Sequence, residues 1–163
     1  VVVDSITEQF SHSWEPNLLM LSLMSPAKIN LFLYVTGRRP DGYHELFSLM
    51  CRISIFDQIR LEFGGHAVEV ECNHPAVPLG EGNLACKAAR HFFAACGEVS
   101  SPGLRIHIEK HIPVAAGLGG GSSNAATVLM GLNAHYGFPL TPSELASLGL
   151  SLGADVPFFL FGK

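Results

Sequence analysis

Positive charge is scarce in this chain and nowhere gathered. Ten Lys and Arg stand against 14 Asp and Glu, a net charge of −4 at neutral pH. Nucleic acid and anionic membrane surfaces both require a clustered positive face, so neither is an expected partner. Asp4, Glu8 and Glu15 come before the first basic residue, Lys28, and without early positive charge the start of the chain reads as neither a secretory signal nor a transit peptide. Long hydrophobic runs are missing too: Leu18 to Met24 is seven residues, against the roughly 20 that cross a bilayer. The four cysteines, at 51, 72, 86 and 96, form no C-x-x-C pair, which excludes a zinc ribbon and a thioredoxin-type centre. Histidines are scattered, and the His107/His111 spacing falls at a strand end, so no metal site is expected. Buried free thiols in a reducing compartment are the simplest reading, and with them a soluble, cytoplasmic protein.

What is present is a chain with 48% hydrophobic and 15% charged residues, enough at 163 residues for one real core. Its organising stretch is Pro113 to Ala126, PVAAGLGGGSSNAA. Ahead of it, Leu104, Ile106 and Ile108 alternate with Arg105, His107 and Glu109, the period-two pattern of a strand with one buried face. Behind it, Ser122, Ser123 and Asn124 are helix-capping types, followed by Ala125, Ala126, Val128, Leu129 and Leu132 at helical spacing. A glycine turn feeding a helix N-terminus offers unpaired amides and the positive end of the helix dipole, which suits phosphate oxygens. The alternative is a tightly packed glycine turn with no ligand. The cradle would be lined by Pro113, Ala115, Ala116, Gly117, Leu118, Gly119, Gly120, Gly121, Ser122 and Ser123. It is not a P-loop, since no Lys lies between Lys110 and Lys163, and not a dinucleotide fingerprint, since Ser122 stands where the third glycine belongs.

The rest of the chain is β-rich at first. Leu18 to Val35 suits strand structure, with a bulge or sheet switch expected at Ser25-Pro26. Gly37 to Gly42 is turn chemistry. Phe47 to Ile55 and Ile59 to Phe63 read as two strands, and Gly64-Gly65 as a hairpin turn into Val68, Val70 and Cys72. Asn83 is expected to cap a helix ending at Cys96, and Thr141-Pro142-Ser143-Glu144 is a capping box opening a helix to about Leu152. A break over 153–157 precedes the apolar run Phe158 to Phe161. Residues 1–17 are expected to be a disordered leader or extension, and 18–163 one domain cut before a further one.

With the glycine stretch placed, SPAKINLFL (Ser25 to Leu33), DGYHEL (Asp41 to Leu46) and GADVPFF (Gly153 to Phe159) become legible beside it. In this order the blocks resemble the GHMP small-molecule kinases, and among them the family acting on a cytidine-diphosphate-linked methylerythritol. The resemblance covers Met20 to Lys163. It implies an α+β fold of the ribosomal protein S5 domain 2 type, ATP as co-substrate with Mg²⁺ held largely by its phosphates, and phosphorylation of a substrate hydroxyl on the non-mevalonate route to isoprenoids. By resemblance, Asp155 is the carboxylate at the acceptor hydroxyl and Lys28 the cation beside it; Asn30 shares the acceptor site; Tyr43 and His44 meet the cytosine; and Asn83 and Lys110 stand near the ATP base. Alternatives are a related kinase for homoserine or mevalonate, and a nucleotide-binding module without chemistry.

Overall fold

The computed structural model describes residues 20–38, 42, 44–97 and 103–161. The expected leader and Tyr43 lie outside the described residues, as does the side chain of His44. Four strands and four helices follow in chain order: β1 (Met20–Arg38), β2 (His44–Phe63), β3 (Val68–Cys72), α1 (Leu84–Cys96), β4 (Leu104–Glu109), α2 (Gly120–His135), α3 (Pro142–Leu152) and α4 (Val156–Phe161), with a 3-10 turn at Gly80–Gly82 before α1. This is the α+β composition expected, β-rich at first, with one helix before the last strand and three after it.

The sheet order is β1-β2-β4-β3, antiparallel except for the parallel β3/β4 pair. The alternation read in β4 holds: Leu104, Ile106 and Ile108 are buried, at 1%, 0% and 3% exposure. In register they face Phe63, Leu61 and Ile59 of β2. These side chains, with Val70 of β3, form the floor on which Phe92 of α1 and Val128, Leu129 and Leu132 of α2 pack as one apolar core. At Gly131 helix α2 lies tight against the sheet: a Cβ there would fall 2.6 Å from Leu23 Cδ1. On the opposite face, Arg105 and His107 of β4 stand among Glu62, Glu69 and Glu71. The His107 hydrogen bond, aided by Arg105, holds the Glu62 carboxyl below the usual carboxylate range.

Three expectations need correction. Gly64-Gly65 does not close a hairpin, because β4 lies between β2 and β3. The chain crosses itself there: Gly64 N donates to Gly103 O at 2.8 Å, and a Cβ on Gly103 would lie 2.2 Å from the Gly65 carbonyl carbon. The apolar strand takes the central place, and β3, with outward Glu69 and Glu71, takes the edge. The two strands read over 47–63 are one strand with a bulge. Pro26 pairs with Phe56 and Ala27 with Ile53, so Ser54 and Ile55 fall outside the ladder opposite the Ser25-Pro26 interruption. The third correction concerns α2. It starts at Gly120 with Gly119 as N-cap and no side-chain cap, so Ser122, Ser123 and Asn124 sit inside the first turns.

The other two helix starts follow the sequence. The Asn83 side chain accepts from Ala85 N to cap α1, and Thr141 and Glu144 close a reciprocal capping box at α3 with Pro142 at its first position. The apolar run at 158–161 belongs to α4, which begins right after Asp155.

Candidate functional site

The bend between β4 and α2 alternates in handedness. Ala115, Gly117 and Gly119 have φ of 58°, 75° and 70°, with the residues between them on the ordinary side. Such alternation turns successive backbone amides toward one point, a concavity that holds anions. Ala115 accepts a left-handed conformation that a Cβ disfavours, a strain of about 1 kcal/mol or more that must be compensated nearby. Among the described residues, no protein acceptor is found for the amides of Val114, Ala115, Gly117, Leu118 and Gly119. Those of Gly120, Gly121 and Ser122 belong to the first turn of α2, where a helix has no internal partner for them. Unpaired amides and the positive helix end therefore converge on one spot.

The bend is held by β1. Lys28 N donates to Leu118 O at 2.9 Å. At Gly119 a Cβ would fall 3.0 Å from Lys28 Cγ and 2.9 Å from the Phe159 ring, so only glycine fits between strand and α4, quite apart from its positive φ. The Lys28 side chain is 8% exposed, and its Nζ reaches Asn30 Oδ1 at 2.6 Å and Asp155 Oδ2 at 3.4 Å. Asn30 lies two residues on, on the same face of β1, as period two requires, and its amide donates to Ser48 Oγ at 2.6 Å. Asp155 keeps 37% of its side chain open. Its segment runs beside the bend: a Cβ on Gly153 would lie 3.9 Å from Ser122 Oγ. Lys28, Asn30 and Asp155 are thus brought together at the edge of the glycine turn.

Beyond the turn, a cleft of about 360 Å³ is lined by Val77, Pro78, Asn83, Leu84, Lys110 and the bend itself. Asn83 borders it, but its side chain is already used, accepting from Ala85 N and donating to Pro78 O. Lys110 is not a surface lysine. Its side chain is 6% exposed, and Nζ donates to Asp57 Oδ2 at 2.7 Å and Ile112 O at 2.6 Å. Ser122 borders the cleft, whereas Ser123 is fully buried and accepts from Ser25 Oγ at 2.8 Å. Ser25 also lies 2.8 Å from Asn124 Oδ1, which binds the β1 bulge to the start of α2.

Sequence reasoning missed Asp57, Ser25 and Arg52. Arg52 stands opposite Lys28 in the ladder and donates to Phe159 O at 2.6 Å, fastening α4 to β2; burial pulls its guanidinium below the usual arginine range. These residues act across the fold, and no local spacing marks them. A buried Asp among apolar strand residues was the one available signal, in FDQI at 56–59.

The family described as GHMP kinases N terminal domain matches residues 83–163. The 4-diphosphocytidyl-2-C-methyl-D-erythritol kinase of Syntrophotalea carbinolica is 54% identical over 143 residues, which is 87% of this chain and 50% of that protein. Its counterpart in Geobacter sulfurreducens is 50% identical over 144 residues, 88% of this chain and 51% of that protein. A crystal structure of 4-(cytidine 5'-diphospho)-2C-methyl-D-erythritol kinase superposes with a TM-score of 0.69 at 44% identity, covering 88% of this chain and 50% of that one. Methanococcus jannaschii mevalonate kinase, at 17% identity and a TM-score of 0.65 over 89% of this chain and 52% of its own, shares the fold. The chain belongs to the GHMP kinase family: residues 83–163 match that family's N-terminal domain, and the described residues have the ribosomal protein S5 domain 2-like fold the resemblance implied. It spans about half the length of the curated relatives it matches.

Proposed function

We propose that the protein to which this chain belongs is an ATP-dependent kinase that phosphorylates the 2-hydroxyl of 4-diphosphocytidyl-2-C-methyl-D-erythritol. The observation that carries the reading is the 3.4 Å approach of Lys28 Nζ to Asp155 Oδ2 at the edge of a turn whose amides are free. The names of the relatives support the choice of substrate.

Phosphoryl transfer asks for positioning and for positive charge where the transferring oxygens gather electrons. The amides of the bend and the α2 N-terminus bind the polyphosphate. Asp155, the more open of the pair, accepts the proton of the attacking hydroxyl at Oδ1 or Oδ2. Lys28, clamped by Asn30, faces both that carboxylate and the bend, so its ammonium lies where phosphoryl charge builds up. Tyr43 and His44 are proposed to hold the cytosine. Mg²⁺ would neutralise phosphate charge. Among the described residues no cluster of three or more His, Cys, Asp or Glu is arranged to hold a metal, so the donor set fits an ion that arrives on the phosphates, with the Ser122 hydroxyl the oxygen at hand. A reducing cytoplasmic setting belongs to the same proposal. The cysteines are free and no helix among the described residues is long and apolar enough to cross a membrane.

The test is Asp155→Asn in a protein of the relatives' full length. Turnover should fall by about 10²- to 10⁴-fold while ATP binding persists. An undiminished rate removes Asp155 from the chemistry, and turnover of homoserine or mevalonate instead would overturn the substrate.

A further inference from the structure

Asp57 is fully buried, and among the described residues it is the only carboxylate in the buried class. A buried carboxylate is costly unless every lone pair is used. Here Oδ1 accepts from His111 N and Ile112 N, both at 2.8 Å, and Oδ2 accepts from Lys110 Nζ at 2.7 Å. Three consecutive residues are thereby tied to one side chain of β2. They are the residues between the end of β4 at Glu109 and the start of the glycine turn at Pro113.

Lys110 completes the arrangement. Its ammonium has three donors; Asp57 and Ile112 O take two of them. Nζ also sits 2.8 Å from where a Cβ on Gly120 would stand, against the first residue of α2. A cation at a helix N-terminus opposes the dipole. Asp57 and the Ile112 carbonyl hold the ammonium there against that opposition. An anion at the bend would gain from both positive poles.

We propose that Asp57 is a positioning residue for nucleotide binding. It fixes Lys110 and the 110–112 junction, and so sets both the remaining ammonium donor and the entry angle of the glycine turn toward the ligand. This rests on the nucleotide reading above. It assigns Asp57 a part that the sequence did not announce.

The test is a double-mutant cycle on ATP affinity in a protein of the relatives' full length, with Asp57→Asn, Lys110→Met and both together. Each single variant should lose about tenfold or more in affinity. The double should lose less than the product of the two single losses, because the Asp57–Lys110 contact is removed in each. Its thermal midpoint should lie above both singles, since the charges leave together. In the unaltered protein, the amide resonances of His111 and Ile112 should shift when ATP is added, a readout that needs no variant to fold. Unchanged affinity in folded Asp57→Asn, losses that multiply across the cycle, or amides that ignore bound ATP would each overturn the positioning role alone. An unaltered protein that binds no ATP would overturn the nucleotide reading with it.

Discussion

His135 stacks on Phe63 with ring centroids 3.6 Å apart and 12° between the planes, beside Tyr136 and the α1 phenylalanines. Burial lowers the pKa of its imidazole, so the folded protein resists protonating it. The unfolded chain takes up that proton near pH 6.5, roughly the free-imidazole value. The sign follows: the His135 contribution to stability is complete above that pH and is lost as pH falls below it. Denaturant midpoints measured between about pH 7.5 and about pH 5.5 should drop more in the unaltered chain than in His135→Gln. Equal drops would mean that the ring is protonated as easily folded as unfolded. At this scale the sequence was legible where chemistry was local. Lys28 and Asn30 share a face because strands have period two, and that needed no coordinates. Ser122 and Ser123 are adjacent and chemically identical, yet one borders the cleft and the other is buried against Ser25, and only the approach of β1 separates them.

Helix starts show why elements were read well in two places and wrongly in a third. At α3 the cap is self-contained: Thr141 Oγ1 accepts from Glu144 N, and Glu144 accepts from Thr141 N at 2.8 Å. The Thr141 hydroxyl, which donates to Glu144 Oε2 at 2.7 Å, and the Thr141 amide hold the Glu144 carboxyl below the usual range, so its share of the stability is present at neutral pH and lost in acid. Thr141→Ala should cost about 1 kcal/mol, read from denaturant midpoints; no loss would show that tertiary contacts alone hold the α3 start. At α2 the capping-type residues were misleading. The turn before it is pulled tight by Lys28 and Phe159, so the helix begins two residues early and leaves its first amides without side-chain partners. A sequence read for ordinary helix stability looks for a cap. The start of α2, with Gly119 as its N-cap, lacks a side-chain cap.

The molecule as a whole is uneven in how it hides its apolar surface. Sheet, α1 and α2 enclose a full core, but the far end of the β1/β2 ribbon exposes Leu31, Phe32, Leu33, Tyr34 and Val35 at 44–69%, with Phe47 at 65% and Leu49 at 51%. Beyond the β2/β4 register, which runs from Gln58 to Phe63, β1 is the one strand among the described residues paired with β2 there. Apolar ribbons with open edges associate. This chain alone should therefore sediment as a concentration-dependent oligomer, and Leu33→Lys with Phe47→Lys should shift it to monomer. Monomeric sedimentation of the unaltered chain at every concentration would contradict this.

The sequence by itself determined a β-rich first part with helices beyond it, the glycine turn between strand and helix, two of the three capped helices, and the placing of a lysine and an asparagine on one strand face. All of these depend on neighbours a few positions apart, whose geometry the backbone repeats everywhere. Only the tertiary structure decided that β4 enters between β2 and β3, that Asp155 comes to Lys28 across more than a hundred residues of chain, and that Asp57 lies beneath the turn. Those outcomes follow from which apolar face buries the most and which charges must then be paired, and that balance exists only once the chain has closed on itself.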